Sequence, residues 1–293
     1  MWQAVFVRDA LLRAHSGLHI ELVGITTEGD RTLDVPLAEK GGKGLFLKEL
    51  EQALLDGRID LAVHSMKDVT VTEPDGLHIP VICEREDPHD ALVSTRFGDL
   101  RELPDGAVVG TCSLRRQSLL RYRFPQLKVE NLRGNVNRRL QRLDDGDFDA
   151  IILAAAGLLR LQMAGRIRQR IPTGIMLPAV GQGAVGVQCR ADDAKTTSLL
   201  APLDHVPTHA RITAERAANA HLGGGCHLPI GAFAEIEGEQ LRLRGLVGRP
   251  DGSNILFASA KGLVSEAEAV GHTLADDLLG QGAKALLQEF ANA

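Results

Sequence analysis

Ala107-Val108-Val109-Gly110-Thr111-Cys112-Ser113-Leu114-Arg115-Arg116 decides the fold. A short β-branched run (Ala107–Gly110) stops at a glycine and passes through small polar residues. It then enters a stretch with helical apolar spacing, Ser113–Tyr122. That is a strand handing over to a helix. Lys128–Leu132 followed by Arg133-Gly134-Asn135-Val136-Asn137-Arg138-Arg139 repeats the pattern, with a helix expected over Asn135–Leu143. Working outward, Leu18–Ile25, Ile59–His64, Asp149–Leu153 and Gly183–Cys189 read as further strands, and Gly44–Leu55 as a helix. Pro172 and Pro178 mark a bend before Gly183. The βαβα rhythm predicts an α/β architecture with mainly parallel sheets, covered by helices on both faces.

The texture changes near Pro207. A helix over Thr208–Leu222 leads to three strand-like segments, Ile230–Ile236, Gln240–Val247 and Ile255–Lys261. Glu237-Gly238 and Pro250-Asp251-Gly252 supply the turns between them. Helices over Ser265–Leu279 and Ala283–Phe290 close the chain. This block reads as a small α+β domain with a three-stranded sheet.

Composition bounds the function. The 293 residues, 44% hydrophobic and 24% charged, suit two or three soluble domains. No run approaches the roughly 18 apolar residues of a membrane span, and no secretory leader is recognisable. Cys83, Cys112, Cys189 and Cys226 form no C-x-x-C pair, which fits reduced cytoplasmic thiols. His64, His78 and His89 lack ligand-like spacing, so no metal is expected. A net charge of −5 argues against nucleic acid and anionic membranes. Only 3% of residues are aromatic, too few for an RNA-stacking platform beside the arginines. Arginines clustered in one region of an acidic protein point instead to a confined anion site.

Both strand-to-helix junctions carry guanidinium groups: Arg115 and Arg116 at one, Arg133 and Arg139 at the other. Helix starts offer unpaired N–H groups, and arginine adds bidentate recognition of carboxylate or phosphate. In α/β folds such junctions open at the carboxyl edge of the sheet, where ligands bind. Gly41-Gly42-Lys43-Gly44 lacks the spacing of a nucleotide loop and would let Lys43 meet an anion beside a helix start. His64-Ser65-Met66-Lys67-Asp68 follows a buried strand, and Asp68 is either a proton-transferring carboxylate or a plain turn aspartate. Cys226 follows Gly223-Gly224-Gly225, a hinge-like stretch, and precedes His227. A thiol presented there suits a nucleophile or a point of covalent attachment, against the reading of a chance thiol in a loop.

Together, His64-Ser65-Met66-Lys67-Asp68, Gly110-Thr111-x-Ser113-Leu114-Arg115-Arg116, Leu132-Arg133-Gly134-Asn135, Leu177-Pro178-Ala179-Val180-Gly181-Gln182-Gly183 and Gly224-Gly225-Cys226 resemble the porphobilinogen deaminase (hydroxymethylbilane synthase) family over essentially the whole chain. The resemblance implies a transferase that joins four porphobilinogen units head to tail, releasing ammonia and yielding hydroxymethylbilane for tetrapyrrole (haem, chlorophyll, corrin) biosynthesis. It implies two periplasmic-binding-protein-like lobes, 1–84 plus 183–203 and 88–178, and a third domain over 206–293. Cys226 would hold a dipyrromethane cofactor through a thioether. Asp68 would be the catalytic carboxylate, assisting proton transfers and stabilising a cationic azafulvene. Lys67, Asp68, Thr111, Ser113, Arg115, Arg116, Arg133 and Gly134 match cofactor-binding positions. Lys43, Ser65, Arg133, Arg139, Arg160 and Gln182 match substrate-binding positions. The resemblance also implies a cytoplasmic monomer that passes its product to the next enzyme of the pathway.

Departures carry expectations of their own. Relatives begin with a further strand, roughly R-I-A-T-R-x-S-x-L-A, ahead of Trp2-Gln3. Its loss would remove a buried strand, an arginine and a serine, so low or no activity is expected of this chain, whether from a misplaced start codon or as a fragment. Glu39 stands where some relatives have a basic residue, with Lys40 adjacent. Gly223 stands where a glutamate occurs and is expected to loosen the loop, and Cys112 replaces a serine. Two other readings compete. A solute-binding protein would share the lobes and the arginines without needing Cys226. A thiol enzyme would pair Cys226 with His227 or His221, a poor geometry for neighbours in one loop.

Overall fold

The structure, a computed structural model, describes residues 1–26, 47–225 and 228–291. Helix α1 (Trp2–Ala14) and helix α2 (Lys48–Leu55) precede strand β1 (Leu61–Ser65), a 3-10 turn at Met66–Asp68 and strand β2 (Leu77–Ile82). Next come β3 (Asp90–Val93), β4 (Val108–Gly110), α3 (Leu114–Arg123), β5 (Lys128–Glu130), α4 (Val136–Asp144), β6 (Ala150–Ala154), α5 (Ala155–Arg160) and β7 (Gln169–Ile171). The chain ends with β8 (Val185–Arg190), α6 (Ala194–Leu200), α7 (Val206–His221), β9 (Ile230–Glu237), β10 (Gln240–Gly248), β11 (Ile255–Leu263), α8 (Ala267–Gly280) and α9 (Ala283–Ala291). No helix among the described residues is long and apolar enough to cross a membrane.

The first lobe is built on β1-β8-β2, with both pairings antiparallel. Helix α1 places Val7 and Leu11, four residues apart and so on one face, against Val81, Val185, Val187 and Leu200. The β2–β8 register slips between His78 and Val81, where Pro80 has no N–H to give the ladder. Residues 18–26 form no strand, contrary to the expectation for Leu18–Ile25. Leu18 and Ile20 lean on the lobe core, but no strand among the described residues pairs with them. Alternating polarity makes a face; without a partner it does not make a strand.

The second lobe has the order β5-β4-β6-β3-β7. Parallel pairing is confined to β5-β4-β6, and β3 runs antiparallel to both β6 and β7. The chain enters this lobe on β3 and leaves it after β7, so the two passages between lobes lie side by side. Their backbones meet where Glu86 N–H donates to Gly183 O at 3.1 Å. A Cβ at Gly183, whose φ is +89°, would strike the Glu86 carbonyl, so only glycine admits this crossing.

The third body is the antiparallel sheet β9-β10-β11 with α7 and α8 packed on it around Leu241, Leu243, Val270 and Leu274. Phe233 and Leu246 from this sheet enter the second lobe's core beside Leu119 and Leu120 of α3. Helix α3 is therefore covered by the third body, a fact that decides where its arginines point.

Candidate functional site

Strand β1 delivers the Met66–Asp68 turn to the region between the lobes. Met66 is buried, its N–H bonded to Ala184 O at 3.0 Å. Gly181 and Gly186 leave room for it: a Cβ on Gly181 would lie 2.8 Å from Met66 Cβ, and one on Gly186 would run into its sulfur. With Met66 anchored inward, Lys67 is half-buried and Asp68 is open to solvent. Asp68 is nevertheless ringed by protein that withdraws bulk water, which raises its pKa against the pull of Lys67 and Arg139. The same desolvation lowers the Lys67 pKa. Asp68 opposes that, and Arg116 and Arg139 add to it.

Arg139 is the side chain that ties the cluster together. It is half-buried on α4 and electrostatically coupled to Cys112, Arg116, Arg133 and Asp68. Burial lowers its pKa, and Arg116 and Arg133 lower it further. Its Nε donates to Gly134 O at 2.7 Å. Gly134 has a φ of +108°, left-handed backbone that suits glycine, and the carbonyl it presents fixes the guanidinium. Asn135 caps α4 by accepting from Arg138 N–H at 2.9 Å. Arg133 is half-buried beside Arg139. Lys67 and Arg139 thus act directly on Asp68, and Arg116 and Arg133 add positive charge beside Arg139, a donor set that fits a ligand bearing several carboxylates.

The other helix start behaves differently. Arg115 and Arg116 are buried, and both reach Asp90, which is fully inside. Arg115 Nη1 donates to Asp90 Oδ2 at 2.8 Å and to Leu177 O at 2.5 Å. Its Nε is buried with no hydrogen-bond partner among the described residues. Arg116 donates to Asp90 Oδ1 through Nε (3.0 Å) and Nη2 (2.7 Å), and to Ile152 O through Nη1 (2.9 Å). Gln182 Nε2 adds bonds to Asp90 Oδ1 (3.0 Å) and Pro88 O (2.7 Å). Burial alone would raise the Asp90 pKa, but Arg115 and Arg116 outweigh it and hold the carboxyl well below the usual carboxylate range. The hydrogen bonds of Arg115 and Gln182 are therefore spent on Asp90 and its surroundings, and Arg116 reaches the cluster only as a charge beside Lys67 and Arg139.

The remaining expected residues occupy the seams. Thr111 is buried and accepts from Ser113 N–H through Oγ1 at 3.3 Å, while Ser113 takes the N-cap position of α3. Ser65 Oγ accepts from Gln3 Nε2 at 2.6 Å. Arg160 Nη2 donates to Gly183 O at 2.8 Å, and its guanidinium lies 5.3 Å above the Trp2 ring, so it bridges the second lobe to the first. Lys43 and Cys226 lie outside the described residues.

Before Cys226, Gly223 and Gly224 act as a helix stop. Gly223, with φ +68°, bonds N–H to Ala220 O, and Gly224 bonds N–H to Asn219 O at 2.8 Å, closing α7 in a Schellman turn. The first part of the stretch expected as a hinge thus forms a helix cap, and glycine at 223 suits its positive φ. His221 Nε2 pairs with Asp276 at 2.7 Å.

Three groups escaped the sequence reading. Asp90 is one; its signal was two successive arginines in a helix whose Leu119 and Leu120 turn it toward the core, where a guanidinium needs an internal anion. The second is the Arg85–Glu215 pair. Glu215, fully buried in α7, accepts from Arg85 (2.6 and 3.1 Å), from Gly181 N–H (2.8 Å) and from Ala234 N–H (2.9 Å). One carboxylate thus clasps both interlobe passages to the third sheet. The third is Arg216, next along α7, whose Nη2 donates to Thr70 O at 3.0 Å.

Two family models match the chain. One described as porphobilinogen deaminase, dipyromethane cofactor binding domain, covers residues 1–198. The other, porphobilinogen deaminase, C-terminal domain, covers residues 209–280. Among solved structures, a periplasmic substrate-binding protein of an ABC transporter from Coxiella burnetii is 15% identical over 69% of this chain and 86% of that one, with a TM-score of 0.44. A nutrient-binding protein from Burkholderia cenocepacia, bound to methionine, is 15% identical over 68% of this chain and 86% of that one, with a TM-score of 0.43.

Proposed function

The chain belongs to the porphobilinogen deaminase family, and from that premise we propose how its own residues serve the reaction. The enzyme is a transferase that polymerises porphobilinogen into hydroxymethylbilane on a dipyrromethane cofactor, in tetrapyrrole synthesis. Bound dipyrromethane supplies the pyrrole carbon on which the chain is extended.

Asp68 is the catalytic carboxylate. Its raised pKa lets it hold a proton at higher pH than an ordinary aspartate does, and its ionised form stabilises positive charge on a neighbouring pyrrole. Arg133, Arg139 and Lys67 bind the acetate and propionate arms of cofactor and substrate, with Ser113 and the Gly134 backbone beside them. Arg116 contributes charge from behind. Arg115, Gln182 and Thr111 act through others, keeping Arg116 and the α3 start in place. Arg160 and Ser65 sit at the lobe seam, where the substrate enters. Cys226 carries the cofactor, and Lys43 adds a cation from the preceding loop. The observation that carries this reading is a carboxyl of raised pKa flanked by Lys67 and Arg139, with Arg116 and Arg133 set beside Arg139. Such a site favours a polyanion whose reacting centre becomes cationic.

The units 1–84 with 183–203, 88–178 and 206–293 act as separate bodies, supported by sheets that share no strand. The enzyme works as a cytoplasmic monomer and releases hydroxymethylbilane to the next enzyme of the pathway. Intact-mass measurement of the purified chain, with an Ehrlich colour reaction, tests the assignment. A dipyrrole adduct is expected on the wild type and on Asp68→Asn, but not on Cys226→Ala; the turnover the wild type retains should fall steeply, yet stay measurable, in Asp68→Asn and vanish in Cys226→Ala. An adduct surviving in Cys226→Ala, or full turnover by Asp68→Asn, would refute these roles.

A further inference from the structure

Among the described residues no hydrogen bond holds the Asp68 side chain, so its placement depends on the backbone turn that carries it. That turn is gripped from two sides. On one side, Gly181 of the return passage lies against Met66 and Lys67, with its notional Cβ 3.1 Å from Lys67 N. On the other side stands α7 of the third body. Ile212 packs with Met66, and Val69 leans on the same cluster. One helical turn further, on the same face as Ile212, Arg216 donates through Nη2 to Thr70 O at 3.0 Å. Its Nη2 also lies 3.7 Å from Glu73 Oε1, and Glu73 Oε2 accepts from Ile79 N–H at 3.3 Å. Thr70 Oγ1 in turn donates to Thr72 O at 2.8 Å, stiffening the same loop. The Arg216 side chain is only 15% exposed, and burial lowers its pKa against the opposing charge of Glu73. A desolvated guanidinium spent on a loop carbonyl two residues past Asp68 is a costly way to hold a surface loop, and a direct way to set the height of a carboxylate.

We propose that Arg216 is a positioning residue for Asp68: through Thr70 O and Glu73 it locks the Met66–Glu73 loop, so that the third body sets where the carboxylate stands. The inference rests on the role assigned to Asp68 above. It also gives α7 two adjacent duties, since Glu215 holds the interlobe passages while Arg216 holds the turn. The body that leads into the cofactor-bearing stretch is thereby tied to the catalytic loop by the same helix.

The test is a double-mutant cycle on the holoenzyme, with hydrogen–deuterium exchange as a readout that needs no turnover. In Arg216→Met, amides of 66–73 should exchange at least about 10-fold faster while those of β9–β11 are unchanged. Its kcat should fall about 10- to 100-fold with KM within about threefold, the effect of a displaced group rather than a lost binding contact. In an Asp68→Asn background the same substitution should cost less than about twofold. Arg216→Lys, which keeps the charge and most of the packing, should recover most of the rate, and Arg216→Gln, which loses the charge but keeps a polar chain, carries the same cycle if the methionine variant does not fold. Equal losses in both backgrounds, unchanged exchange at 66–73, or loosened exchange with undiminished kcat would each overturn the proposal. If Asp68→Asn alone retains full kcat, the role of Asp68 fails first and takes this inference with it.

Discussion

The starts of α3 and α4 have the same ingredients and opposite fates. Each follows a parallel strand of one sheet, each passes through small polar residues, and each carries two arginines. At α3 the guanidinium groups turn inward and saturate Asp90; at α4 Arg139 stays at the surface of the site, braced by Gly134 O. The difference lies in what covers the helix. Phe233 and Leu246 of the third body pack against Leu119 and Leu120, and Arg121 Nη1 donates to Pro250 O at 2.6 Å, so Arg115–Leu120 are all buried and only the last turn, at Tyr122 and Arg123, is exposed. Helix α4 leaves Asn137, Arg138 and Gln141 exposed. A cation enclosed by protein must find a protein anion, whereas one at an open helix start, as Arg139 is, can also meet a ligand's acid groups.

The largest test of this contrast is to remove the internal anion. Asp90→Ala leaves two buried guanidinium groups without their partner and should cost about 3–5 kcal/mol, read as a lowered urea midpoint, with dipyrrole loading falling in parallel. Unchanged stability would mean that the two helix starts are equivalent after all. Next in size is Arg139→Met. It should lower kcat/KM about 100-fold, roughly 2.7 kcal/mol, while the urea midpoint moves by less than about 1 kcal/mol equivalent. A large stability loss there would erase the distinction between braced and exposed arginines. The smallest effect sharpens the electrostatics. Lys67 lowers the pKa of Asp68, so Lys67→Met should raise it further. If the ionised carboxylate is the working form, activity disappears as pH falls through that pKa. The acid limb of the kcat profile should therefore move to higher pH in Lys67→Met, and a shift to lower pH would contradict the pairing.

Much of this was readable in the chain, for identifiable reasons. The three strands of the last sheet fall close to their expected limits because the Glu237-Gly238 and Pro250–Gly252 turns punctuate clear alternation. Lys67, Asp68 and Arg139 lie within electrostatic reach of one another, and Arg133 of Arg139, since each sits at the end of a strand or near the start of a helix. What escaped needed three dimensions. β2 hides behind Pro80, and β3 is four residues long and starts with an aspartate. The division of labour between the two arginine pairs depends on Asp90, 25 residues before Arg115 in sequence. The clasp at Glu215 joins segments more than 100 residues apart, and no local pattern announces it. The expected strand at Leu18–Ile25 failed for the converse reason: its alternation is local, and pairing is not.

Trp2 has a further consequence. It is the single indole in the chain, stacked on Phe6 of its own helix and capped by the guanidinium of Arg160 from across the seam. Any widening of that seam strips a charge from the face of one chromophore. The enzyme thus contains its own optical gauge of lobe separation, with no competing emitter of the same kind to blur the signal.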